Sequence, residues 1–301
     1  MRALLIGPGA IGLTVGGALL QRADTALAVA ARTRFDEMTV ELADDRIHSE
    51  VPVLTDPFAI TGPFDLVLLS TKAHQTPSAR RWLEASCASH TDVIVLQNGI
   101  THRARVKPLI GEASLVPAVV NIPADRLGPG HVRVGFHREL VVPADPAGQR
   151  TVERFAGTHL TVTPTDDWHT AAWRKLVLNA VLGSITVLTR TPNRIFTDRD
   201  ACALAVDLAT EVEAVAIADG AAIEAGRFGD VVERIASAAG DHVSSMAADR
   251  LIGAPTEWHV RNRDVLDRAD QHGIDTPLLR HLTTLIRLGE PDADPATART
   301  K

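Results

Sequence analysis

The first half of the chain alternates short apolar runs with segments of helical length. Residues 3–6 are an apolar run closed by glycine, residues 11–20 have helical length, and residues 26–31 are a second apolar run that stops at Arg32. Residues 65–71 (DLVLLST) and 92–96 (DVIVL) repeat the pattern, each entered at an aspartate and left at polar residues. Near-continuous apolar runs of this length are strands buried on both faces, which predicts a mostly parallel sheet covered by helices, an α/β arrangement. From Ser114 to Thr163 the pieces SLVPAVVN, GHVRVG, RELVVP and THLTVT lie between Gly and Pro turn signals, and they are expected to extend or edge the same sheet.

After Pro164 the strand signal ends. Residues 168–188, 201–219, 231–239, 242–252, 257–272 and 277–288 all have helical length, and Gly220, Gly240, Gly253, Gly273 and Gly289 stand where helix C-caps belong. The pattern therefore predicts an α/β domain over residues 1–164 and an all-helical domain over 165–289. Residues 290–301, EPDADPATARTK, are polar and read as a disordered tail.

Composition narrows the class. At 45% hydrophobic and 23% charged, the 301 residues are those of an ordinary globular protein. With 31 Lys and Arg against 37 Asp and Glu the net charge is −6, so no basic field exists to grip nucleic acid. The two cysteines, Cys87 and Cys202, are far apart and in no ligand spacing, and they suit a reducing cytoplasm. The twelve histidines form no HxH or HExxH, so no metal is expected. Arg2 and the apolar stretch to Leu20 mimic a signal peptide, but Pro8 and five glycines break that run, and no later span reads as membrane-crossing.

The segment Gly7-Pro8-Gly9-Ala10-Ile11-Gly12 is GxGxxG placed between the first strand and the first helix. In that context Gly7 makes the tight turn, Gly9 admits a pyrophosphate, Gly12 lets helix and strand pack closely, and the helix start around Ala10 and Ile11 offers amide donors. The α/β domain is thus of Rossmann type. Some twenty residues past Gly12, where an NAD site usually carries an acid, stands Arg32, whose planar fork suits the 2′-phosphate of NADPH/NADP, with Arg34 beside it. A solvated surface arginine is the plain alternative.

Polar clusters follow two strands: Ser70-Thr71-Lys72 and Gln97-Asn98-Gly99. Ligands in open α/β sheets bind outside the carboxyl ends of the strands, which puts Lys72 and Asn98 in position to meet cofactor or substrate; Asn-Gly is also an ordinary turn. In the helical half, Lys175 and Asn179 are four apart on an otherwise apolar helix and share one face. Lysine snorkelling is the commoner explanation of such a residue. Ser244-Ser245 and Thr256-Glu257 complete the set, with capping and a solvated first-turn glutamate as their plain readings.

Together GPGAIG, Arg32, STKAHQT, QNG, WRKLVLNA, SSMAAD, PTE and HGIDTP resemble the ketopantoate reductase family, in order and spacing, from Met1 to about Leu288. The resemblance implies an NADPH-dependent enzyme with a Rossmann domain, a helical domain and the active site between them. It makes Lys175 the catalytic lysine and Glu257 the active-site glutamate. Asn98, Asn179 and Ser245 become substrate-binding groups, and Gly7, Gly9, Ala10, Ile11, Gly12, Arg32, Lys72 and Asn98 cofactor contacts. It implies a small 2-oxo acid substrate and is compatible with a homodimer. The chain departs from the family pattern at His259, where an acid is usual, at Arg263 in place of glycine, and at Gly183 in place of a second asparagine one turn beyond Asn179. Three functions follow as alternatives: reduction of ketopantoate, reduction of another small carbonyl compound, or NADPH-responsive binding without catalysis. Intact Lys175 and Glu257 speak against the third.

Overall fold

A computed structural model describes residues 1–237 and 240–291. The chain divides into two compact units, Met1–Trp168 and the part from His169 onward, so the division falls four residues beyond Pro164.

The first unit contains β1 (Arg2–Ile6), α1 (Ala10–Leu20), β2 (Ala26–Ala30), β3 (Glu37–Glu41), β4 (Arg46–Glu50), β5 (Val53–Leu54) and β6 (Leu66–Leu69). There follow α2 (Arg80–Ser86), β7 (Asp92–Val95), α3 (His102–Val106), β8 (Ser114–Pro117), β9 (Val119–Asn121), β10 (Ala124–Gly128), β11 (His131–Val134), β12 (Glu139–Pro143), α4 (Pro146–Phe155) and β13 (Thr161–Thr165). The main sheet runs β5-β2-β1-β6-β7-β8 with every pairing parallel, the doubly wound Rossmann order. Period two sorts its side chains: Ala3 and Leu5 of β1 join α1 in one core, while Leu4 and Ile6 join Leu83 of α2 and Val106 of α3 in the other.

The pieces between Ser114 and Thr163 correct the expectation that they prolong this sheet. Only β8 does so. β10 and β11 pair with β3 and β4 in a separate four-stranded sheet, and β9 pairs with β12 and β13 in a three-stranded one. Residues 37–50 show no apolar run because this hairpin spends charge on its outer face. The strands EMTVE and RIHSE bury little beyond Met38, Thr39 and Val40, as suits a protected edge. At the start of β7 the nearly inaccessible Asp92 accepts two bonds from Arg150 (2.8 and 2.5 Å) and one from Arg154 (2.5 Å), both on α4.

The second unit comprises α5 (Trp168–Thr189, whose first residue closes the first unit), α6 (Arg199–Ala218), α7 (Arg227–Ser237), α8 (Ser245–Leu251), α9 (Asp264–His272) and α10 (Pro277–Leu288). Asp198 caps α6. On α6, Glu211 accepts the first amides of α10 from Leu278 (2.9 Å) and Leu279 (2.8 Å), which satisfies donors a helix start leaves open. Gly220, Gly253 and Gly273 take φ of 92°, 69° and 65°, the left-handed values a C-cap glycine supplies; Gly289 keeps φ at −91°, and Gly240 is not left-handed either. The expected helix over 257–272 is divided: His259–Arg263 form a π-helical turn, and regular α9 begins at Asp264. α5 is, by length and composition alone, long and apolar enough to cross a membrane, though Arg174 and Lys175 interrupt it; most of it is buried among protein side chains. Glu290 is tied by its carboxylate to Thr256 and Arg250. The remainder of the expected tail, 292–301, and the last two residues of the expected helix 231–239 lie outside the described residues.

Candidate functional site

In the first unit the candidate groups are backbone and strand ends. Gly7, with φ of 92°, turns the chain out of β1 toward Gly9, the extended N-cap of α1. A Cβ at Gly12 would lie 2.2 Å from Ser70 Oγ and 2.4 Å from the Gly7 carbonyl oxygen, and one at Gly7 would lie 2.7 Å from the Thr71 nitrogen. These glycines are required by close approach. At Gly9 a Cβ would meet nothing within 4 Å, so the side of the loop that a pyrophosphate would occupy is open. Ala10, Ile11 and Gly12 form the first turn of α1, which holds no acidic side chain to repel an anion.

The neighbouring strand ends are laced to this loop. Ser70 donates to the Gly7 carbonyl at 2.6 Å, and Gln97 Nε2 donates to the Thr71 carbonyl at 3.1 Å and to Thr76 Oγ1 at 2.9 Å. His102 Nε2 lies 2.6 Å from the Gln97 carbonyl, and Arg105 donates to the Asn98 carbonyl at 3.1 Å. Lys72 and Asn98, both half-buried, thus sit directly after anchored residues. Ser70 and Gln97 stand in the sequence only as members of polar clusters, which show neither the bond of Ser70 to the loop nor those of Gln97 to Thr71 and Thr76. Arg32 and Arg34 stand exposed just beyond the carboxyl end of β2, and among the described residues neither is tied into an ion pair.

The second unit carries a side-chain cluster of its own. Along α5 the partly accessible positions 171, 175, 178, 179 and 182 trace one stripe, which carries Lys175 and, one turn on, Asn179. Around Lys175 stand Glu257 and Arg261, each only 3% exposed, with Arg261 Nη2 4.0 Å from Glu257 Oε2 and 2.7 Å from Ser245 Oγ, to which it donates. Desolvation, with the Arg261 charge added to it and Glu257 opposing, lowers the Lys175 ammonium to about 7. Ser244 turns out to be the cap of α8, accepting from the Ala247 amide at 3.2 Å, and Thr256 donates to Glu290 at 2.7 Å. Arg263 is exposed and pairs with Asp267 at 2.7 Å, which places it on the outer face of α9.

Arg261 is the residue that sequence reasoning missed. Four positions after Glu257, it reads as half of a surface i,i+4 pair, and only the widened π-turn and near-complete burial distinguish it.

Comparison with known proteins agrees with these features. Residues 3–146 match the family model described as ketopantoate reductase PanE/ApbA, and residues 167–290 match its C-terminal domain. The chain is 37% identical over 285 residues to a 2-dehydropantoate 2-reductase of Mycobacterium tuberculosis, covering 94% of this chain and 95% of that one. A 2-dehydropantoate 2-reductase of Caulobacter vibrioides is 35% identical, covering 91% and 93%. The crystal structure of a 2-dehydropantoate 2-reductase from Geobacter metallireducens superposes with a TM-score of 0.88 at 26% identity, covering 96% and 99%. With both halves of its length matched in order and relatives above one-third identity across nearly the whole chain, the protein belongs to the ketopantoate reductase family.

Proposed function

We propose that the protein is an NADPH-dependent reductase of a small 2-oxo acid, with ketopantoate as substrate and pantoate as product. The observation that carries the reading is Lys175: a desolvated ammonium held among Glu257 and Arg261, with its acidity brought to about 7. An acid is most effective when its pKa lies near the working pH, and a positioned donor of this kind contributes about 10²–10⁴-fold.

The first unit fits a dinucleotide. The open face of Gly9 and the amides of Ala10, Ile11 and Gly12 suit the pyrophosphate, and Arg32 with Arg34 suits the 2′-phosphate that separates NADPH from NADH. The bound reduced nicotinamide supplies the hydride. Lys175 donates its proton to the carbonyl oxygen as negative charge grows there, and Glu257 stabilises the ammonium before transfer. Asn98, Asn179 and Ser245 bind the polar groups of the acid, and Lys72 holds an anionic group of cofactor or substrate. Reduction of a different small carbonyl compound is a second reading, favoured by Gly183, which offers no side chain at the position one turn beyond Asn179.

Steady-state turnover of a panel of 2-oxo acids with NADPH and NADH tests the proposal. Ketopantoate with NADPH is expected to give the highest kcat/KM. Preference for another acid transfers the assignment to the second reading, and NADPH binding with no turnover of any carbonyl compound ends it.

A further inference from the structure

Arg261 is built into the second unit in a way that its structural contacts do not exhaust. A guanidinium carries five N–H donors. Here Nη2 donates to Ser245 Oγ at 2.7 Å, Glu257 Oε2 lies at 4.0 Å, too far for a hydrogen bond, and Nε is buried with no hydrogen-bond partner. Glu257 and the partly accessible Asp249 stabilise the cation through their charge, yet burial still lowers its affinity for the proton. A buried cation with idle donors is costly unless something else completes its shell.

The guanidinium packs directly against α5. A Cβ at Gly183 would lie 3.6 Å from Arg261 Nη1 and 3.3 Å from Met246 Sδ, so the bare backbone of a glycine lets the guanidinium stand this close to the helix. The π-helical turn His259–Arg263 carries Arg261 inward while Arg263, two residues on, remains exposed. From the idle donors, the close approach to Gly183 and the adjacency to Lys175 and Ser245, we propose that Arg261 binds the carboxylate of the 2-oxo acid and selects acids over neutral carbonyl compounds. A carboxylate presents two acceptors that match the planar fork, whereas a lysine or an amide would offer one point of contact. The group that appeared to be missing at Gly183 is thereby supplied from the facing turn. This inference rests on the reductase reading of the same site.

The test compares ketopantoate with its neutral methyl ester in the wild-type protein and in Arg261→Met and Arg261→Lys. Removal of the fork is expected to raise KM for the acid by on the order of 100-fold with a smaller change in kcat, to abolish the preference for acid over ester, and to leave NADPH binding by fluorescence unchanged. Arg261→Lys, which keeps the charge, should fall between, and it decides the matter if Arg261→Met does not fold. Calorimetric titration of ketopantoate into the NADP-bound protein, where no turnover occurs, should show the same loss of affinity. Unchanged acid-over-ester selectivity and unchanged calorimetric affinity in the variants would overturn the role of Arg261. Absence of wild-type turnover would instead count against the reductase reading, and the calorimetric arm would still settle whether Arg261 holds the acid.

Discussion

The two units of this molecule make their functional surfaces from different materials. The first is shaped by backbone: Gly7, Gly9 and Gly12 form a loop, Ser70 holds it by donating to the Gly7 carbonyl, and Gln97 fastens the residues that follow β6. The second gathers charge, with Glu257 and Arg261 buried and the desolvated, partly accessible Lys175 beside them. The first kind of site distributes its energy over many donors, and losing one weakens binding by degrees. The second, on the proposed reading, concentrates it in a few groups whose protonation and position would decide whether chemistry proceeds.

That contrast is open to direct attack, most severely at Lys175. Lys175→Ala is expected to lower kcat by about 10²–10⁴-fold while the Kd for NADPH stays within a small factor, because the amine acts in the transition state. In the wild-type protein the lysine must be protonated to act, so kcat/KM should fall as pH rises through about 7, the value to which its ammonium is lowered. A flat profile from pH 6 to 9, or unchanged turnover in the alanine variant, would remove Lys175 as the proton donor.

A smaller and graded response is expected from the first unit. Arg32 is exposed, and on the proposed reading it is one charged grip among several backbone donors. Arg32→Ala should raise KM for NADPH by about 10–100-fold, the loss of hydrogen bonds to a charged group, and leave KM for NADH nearly unchanged. Equal loss with both cofactors would mean that Arg32 serves the fold, and the selectivity would have to be sought at Arg34.

Legibility in the sequence follows the same division. The glycine loop could be read directly, since only glycine tolerates contacts of 2.2–2.7 Å at its Cβ, and the strands before and after it are apolar enough to announce themselves. Lys175 and Asn179 were legible through helical spacing. Arg261 was not, because a π-turn has no compositional signal and the sequence places an acid and a base four apart as any surface helix does. The β3–β4 hairpin escaped for a related reason: its charged outer positions hide the alternation that its buried Met38 and Val40 obey. Continuation of one sheet through residues 114–163 was a reasonable extrapolation from apolar content, but apolar content does not say which strands pair.

The clasp of Asp92 by Arg150 and Arg154 also makes the first unit a proton-sensitive assembly. Burial alone would raise the Asp92 carboxyl, but the hydrogen bonds and charges of the two arginines outweigh it and hold the group below the ordinary aspartate range. Folding therefore discourages protonation at this point: the contribution is whole above the unfolded-state value of about 4 and drains away as pH falls through the lower, folded-state value. Because Asp92 begins the strand that ends just before Gln97 and Asn98, acid acts at one end of β7 and the candidate cofactor contact Asn98 follows the other. Acid unfolding of the wild-type protein, followed by circular dichroism below pH 5, should show a loss of stability that Asp92→Asn has already suffered at neutral pH. An Asp92→Asn protein with the same neutral stability and the same acid transition would show that the clasp is ornamental.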